Sequence, residues 1–377
     1  MRIAVDAHGI NRFGGCRTYA LPILGTMATE FPKARFDVWL DAYEQHLDGF
    51  ENISQHLLPI GNRFLARLAL QVVMPMLSRR QNTSVTHFMK NLTVMGMRGA
   101  GVVTIHDLHP LIDPGVYPIS DVLYWRHVQP IALKRADRII AVSQQTASDL
   151  ARQYEIDPAK IDVVYHGVDA GFRPRTRLEV GATLARHGVN ANYVLHVGAI
   201  SPKKNLDSLI RAFAILRADG YSGQLVLVGP EYEKLTSVPL MRLADEAGVG
   251  GALIVTGPVP DTELKDLMSG AELFVFPSRY EGFGLVVVEA MASGVPVVAA
   301  RAGAVAEVVG DAAPLIESGS KPEELARHMD ILLSNEVRRR EVVRACLLRS
   351  ASFRWDIAAR STMAVYEKAI RAFSRSA

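Results

Sequence analysis

The sequence predicts an α/β protein built from two doubly wound parallel sheets. The chain has 377 residues, which is more than a single hydrophobic core usually holds. Short β-branched runs alternate along it with segments of helical period, as they do in parallel sheets covered by helices on both faces. This alternation is interrupted once, by a polar stretch near the middle of the chain. We therefore expect two successive domains.

The first half of the chain opens directly on a β-branched run. Such runs, bounded by polar residues, predict strands, and the amphipathic segments between them predict helices. The predicted strands are residues 2–6, 36–40, 85–88, 102–106, 138–143 and 162–165, and the predicted helices include 17–30, 121–134 and 145–153.

An irregular polar stretch from 166 to about 192 follows, with Gly167, Gly171 and Pro174. Its composition is typical of a domain boundary. We place the N-terminal domain at 1–172 and the C-terminal domain at 173–355.

The alternation restarts after this stretch. A long amphipathic helix is predicted from Arg354 to the C-terminus, because apolar residues recur there at helical spacing. Its predicted apolar face consists of Trp355, Ile357, Ala358, Met363, Tyr366 and Ile370. The other predicted elements of this half are strands at 193–197, 224–228, 253–256, 273–276 and 295–299, and helices at 206–218, 238–247, 262–268 and 285–292.

Composition excludes several classes of protein. The formal net charge is +3, too small for the basic field of a nucleic-acid-binding protein. Cys16 and Cys346 lie far apart, so neither a disulfide framework nor a zinc site is expected. The N-terminus lacks a signal peptide's apolar region, and no run reaches the roughly 18 apolar residues of a spanning helix. We expect a cytoplasmic protein, soluble or peripheral on the inner face of the membrane.

The segment from Leu273 to Val298 carries the chemistry. A buried strand ends at Pro277, a polar loop follows, and a helix begins near Gly284. A helix N-terminus flanked by glycines presents free N–H groups to an anion such as a diphosphate. Glu289, one turn inside the helix, suits two adjacent ribose hydroxyls, and Glu281 in the loop could face a sugar. Each glutamate alone is better explained as an ordinary surface residue; the whole pattern favours a ligand site.

This segment resembles the E-x7-E signature of the retaining glycosyltransferases of family 4, also called glycosyl transferases group 1. Glu281 and Glu289 match the two glutamates, and Gly282, Phe283 and Gly284 lie between them. Further stretches are similar to the same family along almost the whole chain: 13–15, 104–108, 166–169 and 196–206. Within the last of these, the loop 201–206 is similar to that of bacterial mannosyltransferases of surface-polysaccharide assembly.

The resemblance implies the GT-B fold, in which two Rossmann-like domains face each other across a cleft. It also implies that the C-terminal helix, 356–377, crosses back to the N-terminal domain. The implied activity is transfer of a hexose from a nucleoside diphosphate sugar, with retention, to a saccharide or lipid-linked saccharide acceptor. GDP-mannose is the favoured donor and a UDP-sugar the second. No metal or other cofactor is implied, because lysines supply the positive charge.

The resemblance also assigns roles. Lys204 matches the family lysine, and Lys203 is expected to supply the second charge, because Ala199 stands where many relatives have an arginine. Glu281 holds donor hydroxyls, although a carboxylate there could also act as a nucleophile, as in retaining glycosidases. His106 contacts the sugar, and Asp107 either orients it or caps the next turn. The expected catalytic residues are Glu281, His106, Lys204 and Asp107; the expected donor-binding residues are Gly14, Gly15, Ser201, Lys203, Lys204, Gly257, Val259, Phe283, Gly284, Leu285 and Glu289.

Three alternatives stay open. A sugar-nucleotide epimerase shares this fold but needs no acceptor, and a two-domain sugar-binding protein would release no nucleotide. A transferase using UDP-glucose or UDP-N-acetylglucosamine would share both fold and chemistry. Residues 63–80, apolar with arginines at both ends, predict either an amphipathic helix on an anionic membrane or an ordinary core helix.

Overall fold

The computed structural model describes residues 1–10, 15–59, 73, 75, 76, 82–91, 99–231 and 240–376. Two compact units form the chain: Met1–Gly167 together with Arg354–Ala377, and Val168–Phe353. The division at Gly167 lies a few residues before the expected boundary at 172. Most of the 63–80 segment, with Gly14, lies outside the described residues.

The first unit contains a seven-stranded parallel sheet. Its strands are β1 Arg2–Asp6, β2 Arg35–Leu40, β3 Ile53–Leu57, β4 Val85–Phe88, β5 Ala100–Ile105, β6 Arg138–Ala141 and β7 Ile161–Val163. Their order in the sheet is β3-β2-β1-β4-β5-β6-β7. Three inner strands, β1, β4 and β5, are almost wholly buried, which fits their continuous apolar and β-branched sequences.

The helices of the first unit differ from the prediction in one region. The expected helix at 121–134 is interrupted by a π-helical turn, Tyr124–Val128, which ends two residues before Pro130. Proline has no N–H for the helical ladder, so the backbone widens there. The described α-helices are Gly15–Glu30, His109–Ile112, Ile119–Leu123, Gln129–Arg135, Gln144–Tyr154 and Trp355–Ser376.

The C-terminal helix, Trp355–Ser376, belongs to the first unit, where it packs on the Gly15–Glu30 helix and the sheet. Met363 and Tyr366 of its expected apolar face are buried in the core. Ile357 is not part of that face and is 48% exposed. The position on a helix, and not apolarity alone, decides which side chains are buried.

The second unit contains a six-stranded parallel sheet. Its strands are β8 Tyr193–Val197, β9 Gln224–Val228, β10 Leu253–Gly257, β11 Leu273–Phe276, β12 Val297–Ala300 and β13 Leu315–Ile316. Their order in the sheet is β10-β9-β8-β11-β12-β13. Its described α-helices are Arg177–Arg186, Leu206–Ala218, Leu240–Glu246, Asp261–Gly270, Leu285–Ala292, Val305–Val309, Pro322–Ser334 and Glu336–Ser350. Two doubly wound parallel sheets confirm the predicted fold class.

The polar stretch at 166–192 is not irregular throughout, as predicted, because it contains the Arg177–Arg186 helix. Thr176 and Glu179 form a capping box at its start, and such a box satisfies N–H groups that polar flanking sequence otherwise leaves to water. Two strands were missed: β3, which carries Ser54, Gln55 and His56 at the sheet edge, and the two-residue β13. Among the helices of the described residues, none is long and apolar enough to cross a membrane.

Candidate active site

In the second unit, two lysines follow the end of β8. Lys203 and Lys204 lie on a 3₁₀ turn, Pro202–Lys204, directly before the Leu206–Ala218 helix. Gly198 leaves the strand with a φ of +153°, and a Cβ atom there would lie 3.1 Å from Cε of Lys204. Glycine at 198 therefore lets the lysine side chain fold back over the end of the sheet.

Both lysines contact Glu281, which is in the loop after β11. Nζ of Lys204 donates a hydrogen bond to Oε1 of Glu281 over 2.7 Å, and Nζ of Lys203 is 3.7 Å from Oε2. Burial alone would raise the pKa of Glu281. The charges of Lys203 and Lys204, together with the hydrogen bond from Lys204, outweigh burial and lower that pKa to about 2. Glu281 is therefore ionised at neutral pH.

The loop that carries Glu281 is held firmly by backbone contacts. The Arg279 N–H donates to the Lys203 carbonyl over 2.8 Å, and the Ala304 N–H donates to the Glu281 carbonyl over 2.9 Å. A Cβ atom on Gly303 would lie 2.3 Å from the Glu281 carbonyl oxygen, so only glycine permits this approach. The carboxylate therefore projects from a fixed backbone.

The Leu285–Ala292 helix begins three residues after Gly282. Gly284 caps it in the left-handed conformation, with φ +87°, and this cap has no side chain to cover the first N–H groups. Phe283 is buried, with its ring edge-on to Phe353 at 5.7 Å between centroids. The start of the helix is thus anchored in the core, and its cap residue contributes no side-chain hydrogen bond to the first turn.

Glu289 lies in the same helix and is 6% exposed. Burial, then the nearby charges of Asp261 and Asp169, raise the pKa of its carboxyl to about 8, and Lys265 opposes the shift. Nζ of Lys265 is 2.9 Å from Asp169, so that cation is already paired. Glu289 is therefore largely protonated at neutral pH and can donate a hydrogen bond as well as accept one.

His196, which sequence reasoning missed, lies next to the lysines. It is fully buried in β8, and its Nδ1 is 3.0 Å from the Val275 carbonyl, which therefore receives the ring N–H. Its Nε2 has no hydrogen-bond partner among the described residues. Burial lowers its pKa to about 4, against the Val275 hydrogen bond and with the charge of Lys204. A histidine inside an otherwise apolar strand, two residues before Gly198, was the signal available in the sequence.

The remaining expected donor-binding residues of this unit occupy two other loops. Ser201 precedes the 3₁₀ turn of the lysines. Gly257 ends β10 with φ +70°, and Val259, two residues later, is buried. The structure thus brings Lys203, Lys204 and Glu281 into direct contact, and places Ser201 beside them in sequence.

In the first unit, His106 follows the end of β5. Its backbone N–H donates to the Asn91 side chain over 2.8 Å, and its Nε2 lies 2.8 Å from the Met89 carbonyl. The carbonyl can only accept, so Nε2 carries the proton and Nδ1 is left as an acceptor. Burial lowers the pKa of His106, and Lys90 adds to this, against the Met89 hydrogen bond and Asp107. His106 is neutral at pH 7.

Asp107 accepts a hydrogen bond from the His109 N–H over 3.3 Å, where the His109–Ile112 helix begins. This contact is the one expected of a residue that caps the following turn. Gly15, from the expected N-terminal glycine loop, is the first residue of the Gly15–Glu30 helix.

A buried hydrogen-bonded network lies beneath His106. Oγ1 of Thr104 is 3.2 Å from the Tyr19 hydroxyl and 2.8 Å from Nε2 of His87, whose Nδ1 is 2.7 Å from the Tyr366 hydroxyl. Burial, and then the repulsion that protonated His106 would exert, lower the pKa of His87 to about 3. We call these four residues the neutral network. It ties the C-terminal helix to β4 and β5 without any formal charge.

Comparison with known proteins places the chain among glycosyltransferases. Residues 185–345 match a family model described as glycosyl transferases group 1, and residues 24–172 match one described as Glycosyltransferase Family 4. A D-inositol 3-phosphate glycosyltransferase of Catenulispora acidiphila is 36% identical over 247 residues, which are 62% of this chain and 57% of that protein. The chain thus spans little more than half the length of the curated relatives it matches.

Solved structures share the fold over the full chain. A sucrose-phosphate synthase from Thermosynechococcus elongatus superposes with a TM-score of 0.78 at 19% identity, covering 99% of each chain. HepE from Anabaena, in complex with UDP-glucose, superposes with a TM-score of 0.74 at 21% identity, covering 100% of each. At these identities the likeness concerns the fold, which is GT-B.

Proposed function

The chain belongs to the group 1 glycosyltransferases, and we propose that it transfers a hexose from a nucleoside diphosphate sugar to a saccharide or lipid-linked saccharide, with retention at the anomeric carbon. The observation that carries this proposal is the ion-paired group of Lys203, Lys204 and Glu281 in the second unit. Such a transfer belongs to the assembly of surface polysaccharides or glycoconjugates.

The two lysines stabilise the departing diphosphate. Breaking the glycosidic bond leaves an oxocarbenium-like sugar and adds negative charge to the β-phosphate. Fixed cations and N–H dipoles aimed at that phosphate lower the barrier most, because they need no reorganisation during the reaction. Lys203, Lys204 and the start of the Leu285–Ala292 helix provide both. No divalent ion is needed for this role.

Glu281 holds hydroxyl groups of the donor sugar. Its pKa of about 2 makes it a weak proton acceptor at neutral pH, so it is unsuited to general-base catalysis. In the structure its carboxylate pairs with both lysines and leaves one positive charge uncompensated within this group. A diphosphate takes over that pairing when the donor binds, which frees the carboxylate for the sugar. The leaving phosphate oxygen then accepts the acceptor's proton.

The other residues have supporting roles in this proposal. Glu289 binds the ribose hydroxyls, His106 contacts the sugar, and Asp107 fixes the turn after His106. The Gly14–Gly15 loop contributes backbone N–H groups to the phosphates. The loop containing Gly257 and Val259 contacts the base, while Ser201, Phe283, Gly284 and Leu285 contribute to the phosphate site.

GDP-mannose is the first candidate donor, because residues 201–206 resemble the corresponding loop of bacterial mannosyltransferases. A UDP-sugar is the second candidate, and the structure of HepE with UDP-glucose favours it. A thermal-shift comparison separates them, since a ligand that binds only the native state raises Tm. We expect GDP to raise Tm more than UDP does; the opposite order assigns the donor to the UDP-sugars.

The proposed function is tested by nucleotide release from each donor in the presence of simple saccharide acceptors. Lys204→Ala and Glu281→Ala should each lower turnover at least tenfold, about 1.4 kcal/mol or more in activation free energy, with an unchanged fold. The exposed Lys321→Ala is the matched control and should keep wild-type turnover. EDTA should leave the rate unchanged. Wild-type rates in both site variants would contradict the assignment, and an inverted anomeric product would contradict retention.

A further inference from the structure

Exposed apolar side chains are concentrated in one segment of the first unit. Five large apolar residues between positions 112 and 131 are 41–72% exposed, with Ile119 the most exposed of them. They come from three consecutive helices and the π-helical turn between two of these. These residues, which we call the apolar surface, are Ile112, Ile119, Leu123, Val128 and Ile131.

Four residues of the apolar surface lie on one continuous helical stretch, 119–135, and Ile112 belongs to the separate His109–Ile112 helix. Ile119 and Leu123 are four residues apart, so their side chains lie on the same side of the helix. Val122, Trp125 and Leu133 are buried in the core on the opposite side. The stretch therefore carries apolar residues on two faces: one packs in the core, and the other meets solvent.

Basic residues lie in the same segment of the chain as the apolar surface. Arg126, Lys134 and Arg135 are exposed, and the two carboxylates of the stretch, Asp113 and Asp121, are only partly accessible. All of residues 112–135 are described, and none of the exposed ones is acidic. An exposed apolar patch with cations and without exposed carboxylates suits an anionic lipid surface better than an aqueous one.

We propose that the apolar surface and its three cations bind the interface of an anionic lipid bilayer. The side chains of Ile119, Leu123 and Ile131 enter the boundary between headgroups and acyl chains, while Arg126 and Lys134 contact lipid phosphates. Charge complementarity selects this occupant, because the exposed charged residues of the stretch are all basic, which an apolar protein partner would not require. The inference does not depend on the identity of the sugar donor.

Flotation of the full-length protein with vesicles tests this surface. At low salt we expect binding to vesicles with about 30% phosphatidylglycerol and little binding to pure phosphatidylcholine, with weaker binding as salt screens the charges. The Ile119→Ser/Leu123→Ser and Arg126→Glu/Lys134→Glu variants should each bind at least tenfold more weakly. Leu178→Ser, which alters a 93% exposed leucine in the second unit, is the control and should bind as the wild type does.

A second measurement reports directly whether the apolar surface inserts into the bilayer. A polarity-sensitive fluorophore at Ile119→Cys, in a Cys16→Ser background, should shift to the blue on anionic vesicles, while the same label at Leu178→Cys should not. Absence of wild-type flotation, wild-type binding by both double variants, or an unshifted label would overturn the proposal. Self-association of the free protein that both double variants abolish would assign the surface to a second copy instead.

Nucleotide release without vesicles separates this inference from the proposed function. None of the substituted residues belongs to the proposed donor site, so each variant should keep wild-type turnover on a soluble acceptor. A variant that loses flotation and keeps turnover supports the membrane surface alone. An inactive wild-type protein that still floats would refute the function and not the surface.

Discussion

The two units end their parallel sheets in chemically opposite ways. In the second unit, Lys203, Lys204 and Glu281 bring three formal charges together at the end of β8 and β11. In the first unit, the neutral network of Tyr19, His87, Thr104 and Tyr366 is wholly buried and carries no charge. The comparison suggests a division of labour, in which the charged group serves a ligand and the neutral network serves the fold.

Physical chemistry supports this division. Partly buried charges cost desolvation energy that packing alone does not repay, so a group of two cations on one carboxylate is better explained by a ligand that needs it. Hydroxyl and imidazole groups that satisfy each other inside a core stabilise the fold and fix the position of its elements. We therefore expect substitutions in the neutral network to lower stability without changing nucleotide affinity, and substitutions in the charged group to lower nucleotide affinity.

The largest effect is expected from Tyr366→Ala. The side chain is fully buried between the C-terminal helix and the sheet, and truncation of a large buried aromatic side chain costs about 3–5 kcal/mol. Urea unfolding should show this loss, whereas affinity for the nucleoside diphosphate, measured where the variant is folded, should stay within about twofold of wild type, well below 1.4 kcal/mol.

Tyr366→Phe is the matched control for that substitution. It keeps the ring and removes only the hydroxyl that contacts Nδ1 of His87. The expected cost is about 1–3 kcal/mol, because a buried polar atom loses its partner. A weakened nucleotide affinity at unchanged stability in either Tyr366 variant would show that the neutral network serves ligand binding and not only the fold.

The next effect is a loss of stability in acid that His87 contributes. Its folded-state pKa is about 3, below the ordinary value of 6.5, so the unfolded chain binds more protons between these values. Stability therefore falls as the pH drops from 6.5 toward 3. His87→Gln should flatten the decline in unfolding free energy between pH 6.5 and 5 by about 2 kcal/mol. An equally steep decline in the variant would show that His87 is not held neutral by the fold.

Glu289 in the second unit should show a smaller effect of opposite sign. Its folded-state pKa is about 8, above the ordinary 4.5, so the folded protein binds more protons between these values and stability falls as the pH rises through them. Between pH 5 and 6, Glu289→Gln should gain stability relative to wild type by on the order of 1 kcal/mol, and it should raise the donor KM. A KM equal to that of the wild type would remove Glu289 from the ribose site.

The sequence predicted the fold well, and the family resemblance grouped Glu281 with Lys203 and Lys204, both of which contact it in the structure. Buried strands such as β8 and β11 are short apolar runs, so their pattern alone predicts them. β3 was missed because an edge strand that carries Ser54, Gln55 and His56 lacks the apolar alternation of a buried one. The helix at 177–186 was missed because its evidence is a capping box in polar sequence, and not an apolar period.

The contacts at the candidate site could not be predicted from local sequence, because they join residues that are far apart along the chain. Glu281 and the lysines are 77 residues apart or more, and their pairing depends on two strand ends meeting at one edge of the sheet. The family resemblance predicted that these residues share a site, but not that Glu281 pairs with both lysines. His196 could not be distinguished from a core histidine, since the sequence does not show that its Nε2 has no hydrogen-bond partner among the described residues.

The role of Lys203 and Lys204 in binding the donor diphosphate is best tested by the affinity of the full-length protein for GDP and UDP, measured by titration calorimetry. The Lys203→Gln/Lys204→Gln variant is compared with wild type and with Lys321→Gln, which alters an exposed lysine of the same unit. The account predicts at least tenfold weaker binding of the preferred nucleotide, about 1.4 kcal/mol or more, in the double variant alone. Equal affinity in all three proteins would contradict the assignment of the charged group to the donor diphosphate.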